Sequence, residues 1–412
     1  MRRTAYLMLL LPLTACGGSA AAGALATRAD SAGITIVTNT DPSWRDGDGW
    51  QIDATPRLEI GPTETDDPHY DFLRVFSGTI LPTGEIAVVV SASREIRVFD
   101  AAGQWLRNIG RDGEGPGEMR GPGFMTRVGD TLFVPDGQLG RMSAFSTDGA
   151  FLGSWRYPSA EGSGRVAPSH RLADGSWVAS GGVSFGSGGM PSEGLMRMPM
   201  AYFRLDAGLE SVLDTIVETP GSEMVIASSR ASADGGGAVR TMMFIAPPPL
   251  GRSTPMTAAG EQVIWGDNAS PQLQIHAGDG TLHTILRWAA PAIPVDAALI
   301  ERVKQAALAR AEGNATFQER IEGQYANPSP APVVPYFTDV RRDAEGALWV
   351  QEYLIVPTDT VHFRIFDRDG QYLGRRSLPP RHRVIEIGTD HILTVWQDDD
   401  DLEYLRVYRL RR

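Results

Sequence analysis

Short runs of alternating apolar and polar residues dominate this chain, and they recur in pairs around tight polar turns. Residues 96–100 and 104–106, for example, flank a turn at Gly103. A period of two predicts half-buried antiparallel strands. Glycine suits such a turn because it adopts a positive φ without a steric penalty. Equivalent turns are centred on Gly149, Gly208, Gly280 and Gly370.

The strand pairs belong to a degenerate repeat of which six copies can be traced. Each copy contains a short apolar strand after a polar turn. These strands are residues 85–90, 131–135, 176–180, 262–265, 347–351 and 392–396. A unit of roughly 40 to 50 residues with four strands has the size of a propeller blade. The pattern therefore predicts an all-β fold over residues 33–412, a six-bladed β-propeller with four-stranded antiparallel blades.

The sixth copy, residues 384–410, ends with the chain and leaves room for an outer strand. An unpaired strand edge invites aggregation, so propellers usually close the ring with a strand from the other terminus. Residues 34–38 form the first alternating run of the chain. We therefore expect this early strand to complete the last blade.

One segment departs from the strand pattern, a helical insertion over residues 295–323 between two late blades. Asp296 is a candidate N-cap and Gly313 a stop signal, and the apolar residues between them recur at helical spacing. A second short helix is predicted over 315–322, followed by a proline-rich connector at 327–332. The insertion is predicted to be either a lid over the central funnel or a helix packed on the rim.

Composition narrows the class of protein. The chain is 42% hydrophobic and contains 46 glycines and 28 prolines, which is typical of a globular, turn-rich domain. It has one cysteine, so an internal disulfide is excluded. The formal net charge of −12 argues against nucleic acid as a partner, because binding to a phosphate backbone needs clustered Lys and Arg.

The N-terminus carries an export signal. Arg2 and Arg3 precede an apolar run at 7–13, which is too short to span a bilayer. The run ends in Leu-Thr-Ala-Cys at residues 13–16, which resembles the lipobox of bacterial lipoproteins. The resemblance implies a signal peptide over 1–15 and a lipidated Cys16 that anchors the protein in the membrane. The alternative is an ordinary secretory signal with a chance cysteine.

The residues after Cys16 are mostly Gly, Ala and Ser, so residues 16–32 are predicted to be a lipidated cysteine and a flexible tether. Gly17, rather than an aspartate, follows the cysteine. This resembles the pattern of lipoproteins that are sorted to the outer membrane. The expected location is therefore an exported, membrane-anchored protein of the outer membrane, on its periplasmic or surface side.

The segment 110–122, GRDGEGPGEMRGP, directly follows a predicted strand. It resembles the linker between blades of NHL-repeat proteins, although Met119 stands where that pattern has an aromatic residue. Residues 132–136, LFVPD, and 140–145, GRMSAF, resemble the strand pair that follows in the same family. The resemblance implies a six-bladed NHL-like β-propeller lipoprotein. It leaves the function open, because one fold serves many functions.

Propellers bind ligands in the central funnel, near the loops between blades. By that placement the candidate binding residues of this chain lie near one mouth of the funnel: Arg111, Glu114, Glu118, Arg120, Asp136 and Arg141. Their mixed charges fit a polar recognition rim. The alternative is a structural hinge whose charged side chains are solvated.

Signals for metals and cofactors are weak. The seven histidines are scattered, so a metal site would need residues such as His69, His170 and His382 to converge through the fold. No cofactor, metal ligand or catalytic residue is predicted. The acidic run 398–401 is expected to be a solvated turn. The methionine-rich segment 190–243 predicts either core packing or a Cu(I) site.

The most economical function is that of a binding or scaffold module for a protein, peptide or glycan partner in the cell envelope. The alternative is a metal-dependent hydrolase or lyase with its site in the central funnel. The side chains that line the interior of the ring should distinguish these two functions. Converging His, Asp, Glu and Asn side chains would favour the enzyme, whereas aromatic and Arg side chains on one face would favour binding.

Overall fold

The computed structural model describes residues 25–45, 47–62, 67–182, 194–232, 239–326 and 331–412. The predicted signal peptide and Cys16 lie outside the described residues. Within these ranges the chain is mostly β, as the alternating pattern predicts, and it contains two helices. Neither of these described helices is long and apolar enough to cross a membrane.

The described chain begins with four short strands, which together we call the N-terminal strap (residues 25–60). They are β1 (Ala26–Ser31), β2 (Ile34–Asn39), β3 (Gln51–Ile52) and β4 (Leu58–Ile60).

Sheets 1 and 2 follow, each an antiparallel meander of four strands. Sheet 1 contains β5 (Val75–Ile80), β6 (Ile86–Val90), β7 (Glu95–Phe99) and β8 (Trp105–Ile109). The two-residue strands β9 (Arg111–Asp112) and β10 (Glu118–Met119) pair in the connection. Sheet 2 contains β11 (Thr126–Val128), β12 (Thr131–Asp136), β13 (Arg141–Ser146) and β14 (Phe151–Arg156).

Sheets 3 and 4 are larger. A small hairpin, β15 (Ser159–Ala160) and β16 (Gly164–Arg165), leads to sheet 3. Sheet 3 has five strands, β17 (Ala167–Arg171), β18 (Trp177–Gly182), β19 (Gly194–Leu205), β20 (Val212–Ser232) and β21 (Val239–Ala246). Sheet 4 contains β22 (Met256–Ala259), β23 (Gln262–Trp265), β24 (Gln272–Ala277) and β25 (Leu282–Trp288), and the strap adds β2 and β1.

The two helices, α1 (Ala297–Arg310) and α2 (Ala315–Ala326), lie between sheets 4 and 5 in the chain. The side chain of Asp296 caps α1 by accepting a hydrogen bond from the Leu299 amide at 2.8 Å. Sheet 5 contains β26 (Phe337–Arg342), β27 (Leu348–Glu352), β28 (Val361–Phe366) and β29 (Tyr372–Leu378). Sheet 6 contains β30 (His382–Ile387), β31 (His391–Gln397) and β32 (Glu403–Arg411), to which β3 and β4 are added.

All six apolar strands predicted from the repeat are confirmed as the second strand of a sheet: β6, β12, β18, β23, β27 and β31. They are apolar throughout because both of their faces are buried. In β6, Val88 packs toward sheet 6, whereas Ala87 and Val89 pack toward sheet 2. The predicted four strands are found in sheets 1, 2 and 5, whereas sheets 3, 4 and 6 contain additional strands.

The prediction that residues 34–38 complete the last sheet is wrong. β2 pairs in parallel with β25 of sheet 4, where Val37 is buried beside Leu286. Sheet 6 is completed by β3 and β4, which both pair with β32. The tether boundary also shifts, because β1 pairs with β2 and the first strand therefore begins inside the predicted tether, at Ala26.

The N-terminal strap holds three sheets together. Asn39 is buried and donates to the carbonyls of Arg287 (3.2 Å) and Gly370 (3.0 Å), while its Oδ1 accepts from the Tyr372 amide (2.8 Å). The amide of Trp44 then donates to the Leu373 carbonyl at 2.8 Å. The strap thus runs from sheet 4 across sheet 5 to sheet 6.

The predicted turn glycines 103, 149, 280 and 370 have positive φ angles. Gly208 does not: at the third turn it is Leu209 that adopts a positive φ, of 61°. The side chain of Asp206 accepts hydrogen bonds from three amides of this turn, which stabilises the unusual backbone.

Six hydrophobic clusters lie between the six large sheets of the described chain. Each cluster joins two sheets that follow one another, and one of them joins sheet 6 back to sheet 1. The first strands lie at the centre, where β5 contacts β30, β17 contacts β11 and β22, and β22 contacts β26. We call the side on which these inner strands begin the front face, and the opposite side the back face. Because each sheet is a meander, the loops between its second and third strands and the connections between sheets also lie on the front face.

Candidate functional site

The structure brings the six predicted rim residues into one loop cluster on the front face, built from the connection 110–122 and the turn after β12. Asp136, at the end of β12, is fully buried. Its carboxylate accepts hydrogen bonds from the amides of Arg120 (2.7 Å), Gly121 (3.0 Å), Gln138 (3.0 Å) and Leu139 (2.9 Å). This residue therefore supports the loop and does not face solvent.

Arg141 also serves the loop. Its guanidinium donates to the carbonyls of Gly115 (2.7 Å) and Glu118 (2.9 Å). The Glu118 carboxylate accepts from the Gly115 amide at 2.8 Å and pairs with Arg111 at 2.9 Å. The backbone hydrogen bond from Gly115, followed by the bond from Arg111, lowers the pKa of Glu118.

The remaining charges of this cluster are in contact with solvent. The Arg120 guanidinium lies 3.5 Å from Asp112 and 3.7 Å from Glu114, at the distance of loose ion pairs. Exposed pairs of this kind contribute little to stability. The cluster thus consists of an inner support, the buried Asp136 and the half-buried Arg141, and an outer layer of paired charges.

A second polar group lies in the centre of the ring, on three inner strands. It consists of His170 on β17, Asp339 and Arg341 on β26, and Arg383 on β30. Asp339 and Arg341 form an ion pair at 2.6 Å. Burial, together with the positive charge of Arg341, lowers the pKa of His170 to about 4. At neutral pH the His170 ring is therefore uncharged.

These residues face a common space. β17 and β26 belong to sheets 3 and 5, which are separated by sheet 4. The charges of Arg341 and Asp339 nevertheless act on the pKa of His170, the first lowering it and the second raising it. Burial lowers the pKa of Arg383; the negative charge of Glu403 opposes this shift, and the positive charge of Arg341 adds to it. The centre therefore holds two guanidinium groups, Arg341 beside Asp339 and Arg383 near Glu403.

An aromatic pair lies beside Arg383 on the front face. Phe76, near the start of β5, and Phe124, just before β11, have ring centroids 4.7 Å apart. They remain 39% and 53% exposed, and Leu73 close by in the chain is more exposed still. The Arg383 guanidinium donates to the carbonyls of Val75 and Phe76. Aromatic surface and a guanidinium are therefore held together where the inner strands begin.

The helical insertion crosses the front face. The end of α1 contacts sheet 6 through Arg310, whose guanidinium lies 3.4 Å from Asp401. On the other side, Gln324 of α2 donates to the Pro247 carbonyl, in the connection between sheets 3 and 4. The insertion therefore contacts front-face loops of two separate parts of the ring.

A cavity of about 370 Å³ lies beside the insertion. Val303 of α1 forms one wall, and Thr338 and Tyr353 of sheet 5 form another. Burial, with a smaller effect from Tyr325, raises the pKa of Tyr353 to about 12. The hydroxyl of Thr338 is buried without a hydrogen-bond partner. Glu223, Arg252 and several prolines complete the lining, so the cavity has both charged and apolar walls.

The three histidines named as a possible metal set do not converge. His69 stacks on Trp105 with ring centroids 3.8 Å apart, His170 lies in the centre, and His382 is hydrogen-bonded to the Tyr408 hydroxyl at 2.9 Å. Across residues 25–45, 47–62, 67–182, 194–232, 239–326 and 331–412, no group of three or more His, Cys, Asp or Glu side chains is placed to hold a metal ion.

The acidic run 398–401 forms a turn, and one residue of the methionine-rich segment packs in the core. Asp398 accepts hydrogen bonds from the amides of Asp400 and Leu402, both at 2.9 Å, in the turn between β31 and β32. Of the alternating methionines on β19, Met200 packs against the core cluster of sheets 3 and 4. Met190 and the side chains of Met242 and Met243 lie outside the part that the structure describes.

Sequence reasoning missed the central polar group and the aromatic pair. Phe76 follows the alternating pattern of a core strand, and nothing in the pattern tells an inner strand from an outer one. The available signal was the position of Phe124 directly after the linker-like segment 110–122, where an inner strand had to begin.

Comparison with known proteins supports the fold class. No family model matches the sequence, and no curated protein sequence matches it either. A solved member of the DUF4221 family from Bacteroides vulgatus is similar over 88% of this chain and 99% of its own, with a TM-score of 0.50 and 10% identity. A protein from Bacteroides fragilis whose description calls it exported gives 0.49 and 13% identity over 91% and 99% of the two chains.

A gluconolactonase from Xanthomonas campestris gives a TM-score of 0.42 and 11% identity over 83% of this chain and 88% of its own. At such identities the similarity bears on the fold alone. The sheet topology of this chain is itself propeller-like, and the activity of these proteins does not transfer to this chain by likeness.

Proposed function

We propose that this protein is an exported, lipid-anchored β-propeller of the cell envelope that binds a protein, peptide or glycan partner at its front face. Six blades are the reading of the ring that best accounts for six clusters joining six sheets in succession. Residues 1–15 are the proposed signal peptide, and the lipid on Cys16 is the proposed link to the outer membrane.

The observation that carries the binding proposal is the exposed pair Phe76 and Phe124 beside Arg383. Aromatic residues and arginine are enriched in protein interfaces relative to the rest of the surface. Aromatic faces also stack on sugar rings and on other aromatic side chains. The Arg383 guanidinium beside the aromatic pair favours a partner that presents an acidic group next to an apolar or aromatic one. The outer charges of the rim, Arg111, Glu114 and Arg120, are proposed as secondary contacts.

The alternative, a metal-dependent hydrolase or lyase in the central funnel, has no supporting set of ligands among the described residues. Mass spectrometry of the purified protein after titration with Ca²⁺, Zn²⁺ and Cu⁺ separates the two. A stoichiometric metal would favour the enzyme or a copper site, and would contradict the binding module as the main function.

The test of the binding site is a pair of screens, a displayed peptide library and a glycan array, with the purified protein as bait. Selected ligands are expected to bind the Phe76→Ser/Phe124→Ser variant at least roughly tenfold more weakly, as loss of a central aromatic contact costs on the order of 1–2 kcal/mol. The matched control is Leu106→Ser, an exposed apolar residue on β8 away from the inner strands. Ligands bound equally by both variants would exclude this face as the site.

Anchoring has its own test. The variant Cys16→Ser is expected to appear in the soluble envelope fraction, because one cysteine is available for lipidation and its removal leaves no acyl chain to hold the protein. Fractionation followed by immunoblotting measures this. If the variant stays with the membranes to the same extent as the protein with Cys16, a lipid on this residue is not what holds the protein there.

A further inference from the structure

A cleft of about 620 Å³ opens on the back face between sheets 4 and 5, at the opposite ends of the inner strands from the aromatic pair. Its walls come from the first hairpin turns of both sheets, residues 259–262 and 342–346, and from the side chains of His283 and Arg368. The cleft is therefore independent of the front-face site.

Two arginines line this cleft. Arg342, the last residue of β26, is half-buried and donates to the side-chain oxygen of Gln262. Its Nε is buried and has no hydrogen-bond partner. Arg368 is exposed and donates through Nε to the carbonyl of Glu345, and no other hydrogen bond from its guanidinium is found within the described ranges.

Three carboxylates line the cleft: Asp343 and Glu345 lie beside Arg412, whereas Glu261 is exposed and forms no ion pair within the described residues. Asp343 is buried and accepts from the Trp349 indole (3.0 Å) and from the Arg412 guanidinium (2.8 Å). Glu345 lies 3.7 Å from Arg412. As far as the structure describes the chain, neither Arg342 nor Arg368 forms an ion pair with a carboxylate. Burial, and in addition the positive charge of Arg368, lowers the pKa of Arg342, whereas the neighbouring Asp343 opposes this shift.

A half-buried guanidinium with an unpaired donor lowers the stability of the fold, because the group has lost hydrogen bonds to water without gaining a full set of protein partners. A second guanidinium in the same cleft adds repulsion. An oxyanion in the cleft would offset this repulsion, since guanidinium donors match the oxygen pairs of carboxylate and phosphate groups.

We propose that this cleft binds a small anion through a carboxylate or phosphate group, with Arg342 and Arg368 as the charged contacts. The amide nitrogen of Gln262 adds a neutral donor, because its oxygen is already held by Arg342. His283 lines the same cleft and adds a further donor.

Isothermal titration of the purified protein with inorganic phosphate, and separately with succinate, tests the site. We expect saturable binding of one of the two anions, and the arm that responds identifies the group. Arg368→Met should weaken binding by roughly tenfold, the usual effect of one charge-assisted hydrogen bond. Added salt should weaken it as well.

The matched control is Arg127→Met, because Arg127 is likewise exposed, donates to the Gly129 carbonyl at the first hairpin turn of sheet 2, and forms no ion pair within the described residues. It should leave the affinity unchanged. Because Arg368 is exposed, its variant should fold, and circular dichroism checks this. Saturation by neither anion at concentrations on the order of 10 mM, or equal affinities of the protein and its Arg368→Met variant, would overturn the proposal.

Discussion

A chain that starts at Gly61, and so lacks the N-terminal strap, is expected not to fold into a cooperative structure. The strap buries Val37 and Ile60 almost completely, and Trp50 stacks on the buried Trp349. Burying each such side chain stabilises a protein by roughly 1.5–3 kcal/mol. Together with the lost strand pairing on β25 and β32, this is comparable with the whole stability of a domain, about 5–15 kcal/mol.

Thermal unfolding followed by circular dichroism measures the effect. The protein should show one steep transition, and the shortened chain a broad one or none. A separate peptide of residues 25–60 should restore the transition, because it supplies the same strands in trans, whereas a scrambled peptide should not. An unchanged transition in the shortened chain would show that the strap is dispensable.

The strap also marks the limit of what the sequence predicts. Strands buried on both faces are visible as apolar runs, so all six second strands could be located. The partner of a strand is a different matter. The alternation in β2 fits the edge of any sheet, and its parallel pairing with β25 joins residues about 250 positions apart in the chain. The choice is made by the fit of Val37 and Asn39, which only the folded sheets create.

The candidate site divides in the same way. The glycine-rich connection 110–122 could be predicted because its composition is local. The group formed by His170, Arg341 and Arg383 could not, since these residues come from three sheets and each resembles an ordinary polar position of a strand. The burial of Asp136 could not be predicted either. The sequence of a turn with an aspartate is the same whether the carboxylate faces solvent or binds the backbone of another loop.

The second large effect on stability is expected from replacing Asp136. Replacing it with alanine is expected to destabilise the protein by about 4 kcal/mol, because four amides of the front-face loop lose a buried, charged acceptor. Asp136→Asn should cost less, roughly 2 kcal/mol, since one side-chain oxygen still accepts three of the four bonds. Asp130→Ala, an exposed position in the same sheet, is the control and should change stability by at most about 0.5 kcal/mol.

Chemical denaturation measures these differences, and cleavage by trypsin at Arg111 and Arg120 reports on the loop itself. We expect cleavage to accelerate in the order of lost stability, because the loop opens once its amides are unpaired. A binding residue would behave differently. If Asp136→Asn weakened a selected ligand while the unfolding midpoint and the trypsin rate stayed unchanged, Asp136 would contact the partner directly, and the rim would be a recognition surface with no supporting role for this carboxylate.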